Sequence, residues 1–383
     1  MDFDLSDEQR LLKDSVDRLL ADRYGDLKTR TGYQKQAEGY SRKLWQEYAD
    51  LGLTAIPFDE KHGGIGQGPV ETMLVMEAIG RNLAVEPYLA TVVLGGGLLR
   101  HGGSEAMQSA LIPGIIAGTL TLSLAFQERQ SRFDLSDVAT TARRDAKGDY
   151  VLEGEKLVVL NGDSADTLIV TARASGARRD PDGLGLFVVD AKTDGVTRRG
   201  TATQDGLRAA EVALAGVRVG ADRVIGEAGK ALPILERATD EAMAALCAEA
   251  VGAMAALNEL TVDYLKTRKQ FGVPIGAFQV LQHRAVDMLT HLEQARSMAY
   301  YATMMVGEAD ARERRKAISA AKVQIGRSAR FIGEASVQMH GGIGMTDEYK
   351  GGHYFKRLTM IDMLFGDAGH HLRLLARAGG MSG

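Results

Sequence analysis

From residue 232 to the C-terminus the chain carries helical spacing almost without interruption, and this restricts its fold more than any other feature. Residues 232–266, 278–307 and 312–340 are each long enough for a bundle of near-antiparallel helices, and 353–378 reads as a further helix interrupted around Gly366. The texture before residue 232 is different. Residues 119–126, 139–143, 150–159, 167–171, 184–189 and 211–219 are short runs rich in Val, Leu and Thr, punctuated by Gly, Asp, Asn or Ser. Their spacing leaves no room for helical crossovers, which predicts an antiparallel sheet domain. Earlier still, Ser6-Asp7-Glu8-Gln9 reads as a capping box, and Leu11, Leu12, Val16, Leu19 and Leu20 mark one face of a first helix. A polar, glycine-containing connection follows, and residues 44–51, 69–80 and 105–117 return to helical spacing. The expected division is a helical domain over 1–118, a β domain over 119–228 and a helical bundle over 229–383.

A chain of 383 residues is too long for one ordinary core and large enough to bury several. Its net charge of -4, with 25% charged residues, gives no basic field for nucleic acid or an anionic membrane. Cys247 is the single cysteine, so no internal disulfide forms, and its apolar run, 244–248, predicts a packed thiol in a reducing compartment. The acidic start Met1-Asp2-Phe3-Asp4 lacks the basic and apolar regions of a signal peptide. The weakly polar run 88–99 is too short and glycine-rich to span a bilayer. These features predict a soluble cytoplasmic protein with no membrane span. Gly63-Gly64-Ile65-Gly66-Gln67-Gly68 has the spacing of neither familiar phosphate loop. His370 and His371 are adjacent rather than at the helical spacing of metal ligands, so no metal is expected.

The stretch 268–288 carries the chemistry. A helical face of Leu257, Leu260, Tyr264 and Leu265 breaks at Phe271-Gly272-Val273-Pro274, then resumes as Phe278, Leu281, Ala285 and Met288. Two helices thus meet at a tight corner carrying Arg268, Gln270 and Gln279, polar groups able to reach one ligand. Taken alone, this is an ordinary helix-turn-helix corner with solvated charge. Arg-x-x-Phe-Gly at 268–272, then Phe278-Gln279, then Gln338-Met339-His340-Gly341-Gly342-Ile343-Gly344 form a specific ordered set. It resembles the acyl-CoA dehydrogenase family. Leu44-Trp45, Leu51-Gly52-Leu53, Gly63-Gly64-Ile65-Gly66 and Gly154-Glu155-Lys156 extend the resemblance along essentially the whole chain.

The resemblance implies a mainly α fold with a central antiparallel β domain, barrel or sandwich, and a C-terminal four-helix bundle. It implies FAD as cofactor and an acyl-CoA substrate oxidised to its trans-2-enoyl product. In such enzymes a carboxylate takes the α-proton and the flavin takes the β-hydride, while hydrogen bonds to the thioester carbonyl stabilise the enolate. The adenosine diphosphate end of FAD is held by a neighbouring subunit. Arg268 would pair with the pyrophosphate, Gln270, Phe271 and Gln279 would line the adenosine path, and Gln338 with Gly341 and Gly342 would let backbone approach the diphosphate. The plainer reading of Gly341-Gly342 is a helix stop. Asp240 falls where relatives contact the pantetheine arm, although the arginine usually three residues on is Met243.

At the flavin ring the sequence departs from the family. The usual Thr-Glu-Pro-x-x-Gly-Ser-Asp is Gln127-Glu128-Arg129-Gln130-Ser131-Arg132-Phe133-Asp134 here. The tryptophan that covers the ring is Val158, and the threonine near N5 is Leu160. The usual base position falls in Phe365-Gly366-Asp367, and the second known position is Ala242. Asp367 and Glu241 are the remaining carboxylate candidates, with Asp367 equally readable as the N-cap of the helix starting at Ala368. Residues that would serve a neighbour match, and those that would serve the chain's own ring do not. Together with Met1 to Ser6 and Tyr354 to Met360, this pattern is similar to the small subunits of pimeloyl-CoA dehydrogenases. That implies a related large subunit as partner, a dicarboxylyl- or medium-chain acyl-CoA substrate, and electron transfer flavoprotein as acceptor. Two other readings stand beside it: a homotetramer with a non-standard base, and a flavin-free scaffold.

Overall fold

The computed structural model describes residues 5–379; the acidic start, Met1 to Asp4, lies outside the described residues. Helices α1 (Asp7–Arg23), α2 (Leu27–Gln34), α3 (Arg42–Asp50), α4 (Pro69–Asn82), α5 (Gly96–Gly102) and α6 (Glu105–Ile116) come first. Strands β1 (Leu122–Ala125), β2 (Thr141–Arg144), β3 (Tyr150–Leu160), β4 (Thr167–Arg173), β5 (Leu184–Asp190), β6 (Val196–Ala202), β7 (Arg208–Val219) and β8 (Val224–Gly229) follow. The remainder is α7 (Leu232–Thr267), a strand pair β9 (Lys269–Gln270) and β10 (Val273–Pro274), then α8 (Gln279–Met305), α9 (Ala311–His340), α10 (Lys350–Met363) and α11 (Ala368–Arg377). Helices, sheet and helices succeed one another as the periodicity predicts.

The chain divides into two compact units, one of Met1–Gly32, Pro69–Val85 and Met243–Gly383, the other of Tyr33–Gly68 and Glu86–Ala242. In the first unit α1 opens with the expected capping box: the Gln9 amide donates to Ser6 Oγ at 3.2 Å and the Ser6 amide to Gln9 Oε1 at 3.0 Å. Val16 and Leu20 form its buried face, but Leu11 is exposed, so the apolar stripe is narrower than expected. α4 and α7 cross backbone to backbone. A Cβ added at Gly80 would lie 1.9 Å from the Glu249 carbonyl oxygen, and one at Gly252 would lie 1.9 Å from that of Glu77, so only glycine allows the approach. Helices α8, α10 and α11 pack on α9, which buries Ile318, Ile325 and Ile332. Each such side chain contributes about 2 kcal/mol of transfer free energy. Arg357 of α10 makes a buried bidentate pair with Glu249 of α7, at 2.6 and 2.7 Å. Cys247 is buried on α7 as a packed thiol, its pKa pushed up to about 12 by burial.

By length and composition α7 is long and apolar enough to cross a membrane, and 78% of its most apolar stretch is buried inside the fold, as befits a core helix.

The second unit is built on one eight-stranded sheet in the order β6-β7-β3-β2-β4-β5-β8, with β1 beside β4. It is mixed rather than purely antiparallel. β1 runs parallel to β4, with Leu122 opposite Thr167, and β2 touches β4 in parallel at Thr141 and Arg173; the other pairings are antiparallel. Leu152, Leu168, Val170, Phe187, Val212 and Val217 fill its core. Strands β6 and β8 have no counterpart in the sequence reading. Thr197-Arg198-Arg199-Gly200-Thr201 in β6 lacks alternating apolar residues because that strand is mostly exposed, and β8 is rich in glycine. The reading also passed over α2, taken as a connection, and a π-helical run, Leu89–Gly95, that leads into α5.

Candidate functional site

The corner at 268–279 is a small hairpin, not a simple break between helices. The amide of Arg268 donates to the Tyr264 carbonyl at 2.8 Å, closing the last turn of α7. β9 and β10 then pair antiparallel, Gln270 opposite Val273 and Lys269 opposite Pro274. The two turn residues, Phe271 and Gly272, have φ of 53° and 82°. This is the doubly left-handed turn that matches strand twist in two-residue hairpins. Asn or Gly usually occupies its first position, whereas here a phenylalanine does, 91% exposed and edge-on to Phe278 with ring centroids 6.1 Å apart. A bulky side chain held at positive φ costs on the order of 1 kcal/mol, and such strain clusters at functional sites.

Arg268, Gln270, Gln279 and Gln338 are all exposed. Among the described residues the Arg268 guanidinium has no hydrogen-bond or ion-pair partner, while the Gln270 amide reaches only the neighbouring Lys269 carbonyl at 2.7 Å. Gly341 ends α9 at φ 62°, and its amide donates to the Val337 and Gln338 carbonyls. An added Cβ at Gly272, Gly341 or Gly342 would meet nothing within 4 Å. The two predicted motifs meet at their roots: Tyr264, one turn before Arg268, lies against His340, with ring centroids 4.6 Å apart.

In the sheet unit the segment 127–134 and strand β3 close on themselves. Glu128 is buried and accepts hydrogen bonds from the Ala139 and Thr140 amides, the Thr140 hydroxyl, Gln130 Nε2 and Lys156 Nζ, the last at 2.6 Å. Burial pushes its carboxyl up, but the Lys156 charge and the donated hydrogen bonds more than offset this and hold it at about 2. Lys156 is fully buried and burial lowers it, to about 8; its ammonium also donates to Thr171 at 2.9 Å. Glu128 is thus an anion fixed at neutral pH with its lone pairs engaged, a structural pin rather than a base. Arg132 has a glycine-like φ of 47°, and Val158 has φ 49° and is 41% exposed. A cavity of about 250 Å³ is lined by Glu128, Gln130, Thr140, Gly154, Glu155 and Leu157 among others; neither Arg132 nor Val158 lines it.

The two candidate carboxylates are both engaged. Glu241 accepts from Arg100 at 2.6 Å and meets His101 Nε2 at 2.7 Å, with Arg237 at 3.6 Å. Burial raises its pKa, but the His101 hydrogen bond and the Arg100, His101 and Arg237 charges bring it below the usual carboxylate value. Asp367 caps α11, accepting from the His370 amide at 2.7 Å. The buried Lys322 ammonium donates to the carbonyls of Ile361, Asp362 and Leu364 at 2.8, 3.2 and 3.0 Å. It satisfies the C-terminal end of α10 and pins the approach to Phe365-Gly366-Asp367. Swinging Asp367 inward would break both the cap and this clamp. Asp240 and Ala242 are fully buried on α7.

Comparison with known proteins decides the family. The acyl-CoA dehydrogenase N-terminal domain matches residues 6–119, the middle domain 123–217 and the C-terminal domain 232–380. The chain belongs to the acyl-CoA dehydrogenase family. Members of this family are FAD-dependent acyl-CoA oxidoreductases. The short-chain specific acyl-CoA dehydrogenase of Megasphaera elsdenii is 29% identical over 91% of this chain and 92% of that protein. Among solved structures, the FAD complex of PigA superposes with a TM-score of 0.90 at 26% identity, covering 100% of both chains. A variant of the Tcur3481-Tcur3483 steroid ACAD superposes at 0.87 and 27%, covering 98% of each.

Against the family's cofactor, the two ends of the site differ. An unpaired guanidinium, exposed carboxamides and glycines with open space at Cα suit the adenosine diphosphate end of FAD. The ring end is a poor fit. Val158 presents no stacking surface and Leu160 no side-chain donor, and Arg132 stands where close approach needs glycine. The Lys322 clamp and the Arg100–His101–Glu241 cluster were not foreseen from sequence. Their members lie 39 to 141 positions apart, beyond any local spacing rule.

Proposed function

We propose that this chain is the small subunit of a heteromeric acyl-CoA dehydrogenase, lending its nucleotide corner to an FAD whose ring and catalytic base belong to a related large subunit. The observation that carries this is the corner itself: a strained, solvent-facing hairpin with an unpaired Arg268, beside glycines open to solvent. Val280, Val286 and Leu289, on the helix that leaves the corner, are also exposed, apolar surface suited to a neighbouring subunit. Arg268 would pair with the pyrophosphate and Gln270, Phe271 and Gln279 would line the adenosine. Gln338, Gly341 and Gly342 would bring backbone to the diphosphate. Bound FAD would accept the β-hydride of an acyl-CoA, medium-chain or dicarboxylyl as in pimeloyl-CoA dehydrogenases, and pass electrons to electron transfer flavoprotein. Asp240 would lie toward the pantetheine arm. Glu241 and Asp367, both engaged in structural bonds, would not serve as base. The Tcur3481-Tcur3483 relative carries a paired name, which is in keeping with a two-chain enzyme. We place the complex in the cytoplasm and divide the chain at 118/119 and 228/229.

The test is dehydrogenase activity of the chain purified alone and with the protein encoded beside it. Turnover should require both, and Glu241→Gln or Asp367→Asn in this chain should leave turnover of the pair within about threefold. Full activity of the chain alone, abolished by either substitution, would overturn the proposal.

A further inference from the structure

We propose that His340 is the positioning residue that sets the two halves of the nucleotide corner relative to one another, acting through Tyr349 and Tyr264. The inference rests on the nucleotide reading above. His340 is the last residue of α9, immediately before Gly341 and Gly342, and is buried. Its Nδ1 lies 2.8 Å from the Ser336 carbonyl oxygen, an acceptor that can only receive, so Nδ1 carries the proton. Nε2 is therefore the lone-pair nitrogen, and the Tyr349 hydroxyl, 2.8 Å away, donates to it. One face of the ring lies against Tyr264 at 4.6 Å, and Tyr349 sits at 4.9 Å. Thr261 of α7 meets Ser336 of α9 through a buried hydroxyl pair at 2.8 Å, and Ser336 Oγ is 3.3 Å from His340 Nδ1. A chain of polar contacts thus runs from Thr261 through Ser336 and His340 to Tyr349. It ties α7, about two turns before Arg268, to both ends of the segment 341–349.

The segment it brackets is short: Gly341–Met345 form one 3-10 turn, and beyond it His353 Nε2 lies 2.9 Å from the Asp347 carbonyl while Lys356 pairs with the Asp347 carboxylate at 3.2 Å. A Cβ added at Gly341 or Gly342 would meet nothing within 4 Å, Ile343 and Met345 are exposed, and the Thr346 amide closes the turn on the Ile343 carbonyl at 3.2 Å. Glycines supply no rotamer to fix the backbone, so the direction of their amides depends on the anchors at either end. The His340 to Tyr349 bond is the side-chain anchor spanning that loop. None of these groups needs to touch a ligand. Their effect would be to hold the Gly341-Gly342 backbone at a fixed offset from Arg268, so that a diphosphate meets both without reordering the loop.

Adenosine diphosphate and FAD, titrated into the full-length chain by calorimetry beside thermal unfolding, separate this from a merely structural role. Tyr349→Phe removes one hydroxyl and should weaken ADP about fivefold, the worth of one net hydrogen bond, with little change in Tm. His340→Phe should weaken it further. His340→Gln, whose carbonyl can accept from Tyr349 while its amide donates to Ser336, should restore affinity to within about twofold. Wild-type affinity in both Tyr349→Phe and His340→Phe, in a chain that Arg268→Ala disables, would overturn the proposal and leave the corner assignment standing. If the unmodified chain takes up neither probe, or Arg268→Ala has no effect, the corner assignment is itself wrong and the positioning role falls with it.

Discussion

Glu128, which matches the family's motif at the start of the ring segment, is a structural pin. Its carboxylate receives five donors in a buried pocket, and removing one partner of such a pair costs about 3 kcal/mol. The sign of its pH dependence follows from a folded pKa of about 2 against 4.5 for a free glutamate. The folded state binds the proton less tightly, so the stabilisation is complete above 4.5 and is lost as pH falls toward 2. Glu128→Gln should therefore lower Tm clearly at pH 7, and the gap to the unmodified chain should shrink between pH 4.5 and 2, read by thermal unfolding. A gap that stays constant across that range would mean the charge is not what the pocket holds. At this scale the sequence was legible only in part. Asp367 as a helix cap was readable because its partner is three residues away. The Arg100 and His101 partners of Glu241 and the clamp at Lys322 were not, because they come from chain segments that only folding brings together.

Among the elements, the long helices were plain from periodicity because tens of residues repeat one spacing, and α7 to α9 start and end close to where the pattern places them. Elements that contradict their own composition were missed. β6 is an exposed strand with little apolar patterning, and the run Leu89–Gly95 adopts π-helical bonding that no simple repeat encodes. The corner hairpin was hidden for a related reason: its turn puts phenylalanine where left-handed backbone normally selects Asn or Gly. That conflict leads to a prediction. Phe271→Asn should raise stability by up to about 1 kcal/mol, since Asn tolerates positive φ and loses an exposed ring. It should at the same time weaken FAD binding in the assembled enzyme, measurable by flavin retention after gel filtration. A variant that is stabilised and keeps flavin fully would show that the ring at 271 serves neither nucleotide nor partner.

Across the molecule, the fold and family follow from texture and a few motifs, while the proposed division of labour between chains rests on an asymmetry within one chain. The nucleotide corner keeps the Arg268 guanidinium free and its glycines open at Cα; Val158 and Leu160 offer neither stacking surface nor a side-chain donor, and the candidate carboxylates Glu241 and Asp367 are engaged elsewhere. A working single-chain flavoenzyme would need both ends of the site intact. The assembled complex, isolated from its native source without added cofactor, offers the most direct measurement: moles of FAD per mole of each chain, from flavin absorbance and quantified subunits. The account predicts one FAD for each pair of unlike chains, with Arg268→Ala in this chain releasing it. One FAD per copy of this chain in a homo-oligomer, retained when the related chain is absent, would contradict it.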